Sequence, residues 1–225
     1  MIALLRYQSA NLYRSHRWIF PLITYALLIS VGGTGSGAQA TALEHARALA
    51  DGLDWSAAVL VPVVALLTRS MLTTEPAAAR ACVAAARGPA RAQLATLITA
   101  LAAGAALGLA GALYELVTCG HKTALLVPFA SGLGKALVCV LVGSAVGTLF
   151  NPPLIRHQAA ALLSTTAAVV VALVSSVSPA SAALRGDGAA MQSAAWPAGV
   201  PLVAAFALTV ASWAVSCWLA GRRAD

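Results

Sequence analysis

Charge is scarce in this sequence: only 9% of its 225 residues are Asp, Glu, Lys or Arg. A soluble domain carries roughly 25%, so the chain lacks the polar surface needed to face water. A hydrophobic content of 60% and a mean hydropathy of +0.84 fill the gap. Lysine is almost missing, with Lys122 and Lys135 the only two beside twelve arginines. The four cysteines (Cys82, Cys119, Cys139, Cys217) form no Cys-x-x-Cys pair, which argues against a zinc site or a disulfide framework. No Gly-x-x-x-x-Gly-Lys-Ser/Thr loop is present: Gly134-Lys135 is followed by Ala136, and Phe129 stands where the first Gly belongs. The parts of an intramembrane protease are missing too. Ser131-Gly132 lacks the preceding Gly-x, paired carboxylates are absent from the apolar runs, and His16, His45, His121 and His157 fall in loops or helix ends. The chain is not expected to be an enzyme.

What is present is apolar sequence in long runs. A spanning helix takes about 20 residues, so this length accommodates about six spans with short connections and leaves nothing over for a soluble domain. The expected fold is an all-α membrane protein forming one transmembrane domain over residues 1–225, with spans at about 18–32, 54–72, 93–117, 126–150, 154–177 and 200–220. Residues 2–17 put Arg6, Tyr13, Arg14 and Arg17 on one helical face and Leu4, Leu5 and Leu12 broadly opposite, the pattern of a helix lying in the headgroup plane. Residues 33–53 and 178–198 read as polar outer loops, and Asn151-Pro152-Pro153 as a tight inner turn. Ala38 and Ala40 fit the small-residue positions of a signal-peptide exit, but the long amphipathic lead-in favours a retained span. Trp18, Trp55, Trp196 and Trp218 sit near predicted interfaces as anchors.

The net charge of +7 lies in short arginine clusters between apolar runs, which speaks against a nucleic-acid partner. With the N-terminus inside, ten of the fourteen cations fall on the inner side against Glu75 and Asp225, while four lie outside against five acids. The positive-inside rule therefore predicts cytoplasmic N- and C-termini in a cytoplasmic (inner) membrane.

The largest inner insertion is TTEPAAARACVAAARGPARAQ. Thr74 caps a helix whose first turn holds Glu75 and Pro76, Arg80 and Arg87 share a face seven residues apart, and Gly88-Pro89 ends it before the next span. A short basic helix under the membrane is the expectation. Lys135 falls well inside a span, where an ammonium needs water or an acid, and Glu115 near the outer end of the third span is the candidate partner of this charge pair. Ser164, Thr165 and Thr166 in the fifth span and Thr209, Ser212 and Ser216 in the sixth either line a path or hydrogen-bond between helices. Gly104/Gly108 and Gly143/Gly147 have the spacing of close helix packing, more naturally within one subunit than between two.

The LLRYQSANLYRSHRWIFPLITYALL stretch, the EPAAARACVAAARGPAR loop and the six-span layout together resemble the permease subunit of type-2 ABC transporters, in particular small actinobacterial exporter permeases. The resemblance implies that residues 2–17 form a membrane elbow, that the helix over 75–91 couples to a separate ATPase, and that the turn at 151–157 makes a second contact. Glu75, Arg80, Arg87, Arg91 and Arg156 would then meet the ATPase. It further implies two ATPase copies that bind the ATP and Mg, no cofactor in this chain, a second copy of the permease, and export of a hydrophobic or amphipathic compound such as a peptide, antibiotic or lipid. A six-span vitamin-uptake subunit and a non-transporting immunity or scaffold protein are the alternatives.

Overall fold

The computed structural model describes residues 2–16, 18–32, 42–74, 79, 82–83, 85–86, 88–119, 126–150, 158–185 and 199–222. Every regular element among them is an α-helix. Among the described residues five helical stretches are long and apolar enough to cross a membrane, over Arg47–Thr73, Pro89–Thr118, Phe129–Leu149, Ala159–Arg185 (interrupted at 175–178) and Val200–Arg222, and a sixth apolar helix is shorter. The chain is a multi-pass helical membrane protein.

Helix α1 (Ile2–Ser15) is amphipathic as expected: Leu4 and Gln8 are buried while Arg6, Tyr7, Tyr13 and Arg14 are exposed. His16 stops it by taking a left-handed φ of 53°, the usual geometry just past a helix end. The chain turns there, with the Ile19 amide donating to the His16 carbonyl at 3.1 Å and Trp18 stacked on Tyr13 at 6.0 Å between centroids. Helix α2 (Ile19–Gly32) takes Pro21 in its first turn, where no backbone donor is lost. Pro21, Tyr25 and Ile29 recur every four residues as its buried face, and Phe20, Ile23, Leu27 and Val31 point outward. Its 14 residues reach about 21 Å, short of a hydrocarbon core of about 30 Å.

Helix α3 (Ala42–Thr74) departs from the sequence expectation. Residues 42–53, read as part of a polar outer loop, continue the helix, so that it runs for 33 residues, about 50 Å. The cause is an unbroken apolar stripe: Leu49, Leu53, Ala57, Leu60 and Val64 follow one another at helical spacing, each at most 2% exposed. Packing of this stripe outweighs the polar residues on the opposite face. Helix α3 is the axis of the bundle and packs against α2 and the three spanning helices that follow it in the chain.

Helix α4 (Pro89–Cys119) starts from Gly88, whose φ of 85° suits glycine alone and whose carbonyl accepts the Ala92 amide at 3.2 Å. It runs antiparallel to α3, with Gly104 over Val64 and Gly108 over Leu60. Helix α5 (Leu126–Leu149) runs parallel to α3, with Gly143 against the Val61 backbone and Gly147 against that of Ala65. Both glycine pairs thus pack within the subunit, as their spacing suggested. Helix α6 (Gln158–Val174) follows, and then a seven-residue helix α7 (Pro179–Arg185) inside the segment read as an outer loop. Ser178 caps α7 through the Ala180 amide, and the Arg185 guanidinium folds back to the Val174 carbonyl at the open end of α6 at 3.2 Å.

Helix α8 (Val200–Arg222) buries Pro201, Ala205, Thr209, Ser212 and Ser216 along one small-residue face. Between helices in lipid, packing and hydrogen bonds take over from the hydrophobic effect. Accordingly Thr209 donates to the Leu141 carbonyl of α5 at 3.0 Å, and Gln93 of α4 donates to Ser216 at 3.0 Å. Of the two readings for these hydroxyls, interhelical bonding describes Thr209 and Ser216, whereas Ser164, Thr165, Thr166 and Ser212 donate to carbonyls of their own helices. Arg222 lies 4.0 Å from the Trp218 ring centroid.

Trp55 does more than anchor an interface: its indole donates to the Leu28 carbonyl of α2 at 2.9 Å and covers Gly32 so closely that an added methyl there would overlap the ring. Gly32→Ala is expected to push the indole away and break that bond, lowering stability by about 1 kcal/mol. Thermal unfolding in micelles followed by tryptophan fluorescence checks it, and an unchanged Tm would mean that Trp55 does not tie α2 to α3.

Candidate functional site

Four charged side chains lie inside the packed helices: Arg69 and Asp54 on α3, Glu115 on α4 and Lys135 on α5. Arg69, Glu115 and Lys135 are 7%, 1% and 7% exposed. The expected pairing of Lys135 with Glu115 is not the one the fold makes. Lys135 Nζ lies 2.6 Å from Asp54 Oδ1 instead. The correction follows from the extra length of α3. With α3 starting at Ala42, Asp54 is no longer at the edge of a span but three turns into a helix that runs parallel to α5, beside Lys135.

Glu115 instead faces Gly52, two residues before Asp54 and therefore on a different side of α3. A Cβ at Gly52 would come within 2.5 Å of Glu115 Oε2, so only glycine admits the carboxyl there. Both Glu115 oxygens are buried without a hydrogen-bond partner, and the buried Tyr25 hydroxyl of α2 likewise makes no bond of good geometry. Tyr25 reaches over Gly111, one turn before Glu115 on the same face of α4, where a methyl group would overlap the hydroxyl. Leu49, Leu53 and Ala112, with Leu116, Phe129 and Leu133, form the apolar cluster at this end of the bundle.

Asp54, Tyr25 and Gly52 are missed by the sequence reading because their importance depends on how α3 begins. The signal lies in the Leu49–Leu53–Ala57 spacing, which extends the helical stripe back through the polar segment. Arg69 is missed as well, because it lies three residues inside the expected end of the second span and counts there among the inner-side charges.

Of the residues assigned to an ATPase contact, Glu75, Arg80, Arg87 and Arg156 lie outside the described residues, as do the 151–157 turn, Lys122 and Trp196. Arg91 is described: it is exposed in the first turn of α4. Beside it the Ala90 carbonyl accepts from the Cys217 thiol of α8 at 3.7 Å, which joins the start of α4 to the last turns of α8. No group of three or more metal-binding side chains occurs among the described residues. Between α4 and α5 an apolar groove of about 200 Å³ is lined by Ala105, Gly108, Leu109, Leu133, Ala136, Leu137 and Val140. Its lining offers shape and apolar surface but no reactive group.

No family model, curated protein or solved structure matches this chain. The fold and composition establish a multi-pass, all-helical membrane bundle.

Proposed function

We propose that this chain is the membrane-spanning permease subunit of an ATP-driven exporter, with six spans, both termini cytoplasmic and the ATP and Mg held by a separate ATPase. Two ATPase copies and a second permease would complete the transporter, and the cargo would be a hydrophobic or amphipathic compound. The observation that carries this reading is the position of the α3–α4 connection. Residues 75–88 join two long, closely packed antiparallel helices, and one of these is the axis around which the bundle is built. A partner that displaces this basic segment from the inner side moves the centre of the protein, whereas the α5–α6 connection moves only one central helix and a peripheral one. The amphipathic α1, which packs on α4, supports the elbow role assigned to residues 2–17. The spare outer length of α3 and the short α2 are compatible with a bundle that tilts as it works.

The test is to purify the protein together with any nucleotide-hydrolysing subunit that accompanies it in the membrane, in wild type and in the R80E/R87E double variant. Charge reversal on the shared face of the 75–91 segment is expected to lower ATPase association or ATPase stimulation about tenfold, corresponding to about 1.4 kcal/mol, with membrane insertion intact. Unchanged coupling in that variant would refute the ATPase-contact role. Absence of any nucleotide-hydrolysing companion would favour the scaffold alternative.

A further inference from the structure

Three helices close around a pair of buried oxygen groups at the Glu115 end of the bundle. Glu115 of α4 is 1% exposed and Tyr25 of α2 is 3% exposed. Neither carboxylate oxygen has a hydrogen-bond partner, and the phenol makes no bond of good geometry. Glycines make the room: Gly52 of α3 admits the carboxyl and Gly111 of α4 admits the phenol, and a side chain at either would collide with the group it faces. Ser56, one turn after Gly52 on the same face of α3, is the polar side chain beside the phenol. It is 3% exposed and donates its proton to the Leu53 carbonyl at 3.0 Å, which leaves its oxygen lone pairs to accept. Of the charged groups on the neighbouring helices, Asp54 and Lys135 engage each other at 2.6 Å, while α3 also carries Glu44, Arg47, Asp51 and Arg69 and α4 carries Arg91 at its start.

An ionised carboxyl in such surroundings is strongly unfavourable without a compensating positive charge, and ionisable side chains inside spans mark ion and proton paths. The donor set is oxygen only, which selects a hard cation. It contains one carboxylate and belongs to no cluster of acidic or histidine side chains among the described residues, so the charge it balances is one, not two. We propose that Glu115, with the hydroxyl oxygens of Tyr25 and Ser56, forms a binding site for a single monovalent cation, either a proton or an alkali-metal ion. The site lies between α2, α3 and α4 and is independent of the ATPase reading. Separating α2 from α4 would open it, so occupancy and the packing of α2 are linked.

The test uses the full chain reconstituted in phosphatidylcholine vesicles and treated at neutral pH with N,N′-dicyclohexylcarbodiimide, an apolar reagent that converts a protonated carboxyl in apolar surroundings to a stable N-acylurea. In choline buffer the expected result is one adduct, mapped to Glu115 by mass spectrometry and lost in E115Q. Suppression of that adduct by sodium or potassium identifies an alkali ion as occupant, with Y25F weakening the suppression. Insensitivity to both salts identifies the proton. A second readout is the Tm of wild type and E115Q across pH and across choline, sodium and potassium. Absence of the Glu115 adduct, together with a wild-type Tm that responds to neither salt nor pH more than that of E115Q, would overturn the proposal.

Discussion

Asp54→Asn is expected to destabilise the protein by about 2 to 3 kcal/mol, just under the roughly 3–5 kcal/mol for breaking a fully buried ion pair. Asn keeps the shape of the side chain but removes the charge facing an ammonium that is only 8% exposed, whereas Asp54 itself is 28% exposed, and that openness discounts the effect. Lys135→Met should cost less, because the carboxylate left behind reaches solvent more easily and Met fills the apolar volume. The double variant D54N/K135M should lie close to K135M alone, since the second change removes the charge that the first left without its counter-ion. Stability is read from denaturant titration of the purified protein in micelles. Additive single effects would mean that the α3–α5 pair does not contribute as a unit. The same cycle run between Glu115 and Lys135 should give coupling within the roughly 0.5 kcal/mol of independent sites, which separates the pairing seen in the structure from the one expected from sequence.

The second large effect is steric. Gly147→Leu should abolish a folded, monodisperse protein, because even its Cβ would lie 2.6 Å from the Ala65 carbonyl oxygen and 3.0 Å from the Ala65 Cα of α3. The atoms in the way are backbone, which no rotamer change can move. A Cβ added at Gly143 would likewise lie 2.8 Å from the Val61 carbonyl oxygen, so the two glycines set the approach of the parallel helices α3 and α5. Gly147→Ala should already cost about 1–3 kcal/mol by overpacking. Gly134 on the same helix meets nothing within 4 Å, and Gly134→Ala is the control, expected to change stability by less than about 0.5 kcal/mol in the unfavourable direction. Size-exclusion profiles and Tm values of the three variants decide the matter. A Gly147→Leu protein as stable as wild type would mean that α3 and α5 do not approach this closely.

These two sites differ in how much of them is legible along the chain. The Gly143/Gly147 spacing is enough to announce a close helix approach, because small residues four apart necessarily form one smooth stripe on a helix. The ion pair is only half legible. That Lys135 needs an acid follows from the cost of a charge inside a span, but the choice between Glu115 and Asp54 turns on where α3 begins. Residues 42–53 look polar when counted as composition and helical when Leu49, Leu53 and Ala57 are counted by period, and packing against α4 and α5 resolves the conflict in favour of period. The short helix α7 is hidden for a related reason. Seven residues from Pro179 to Arg185 are too few to carry a helical signal, and their conformation is held by the Ser178 cap and by burial of Ala180 and Ser181 under neighbouring helices.

The amino-acid sequence by itself determined that this is an all-helical membrane protein. In lipid the backbone is satisfied only within helices or around a closed barrel, and unbroken apolar runs of about 20 residues lack the alternation that barrel strands need. It also determined the amphipathic character of residues 2–15 and which glycines would let helices touch, because both depend on neighbours within four residues along the chain. Only the tertiary structure decided which acid meets Lys135, that Glu115 and Tyr25 are both buried against glycines of α3 and α4, and that α3 is the axis of the bundle. Those outcomes depend on the rotation and register of helices far apart in sequence, and a one-residue change in register turns a side chain by about 100° toward a different neighbour.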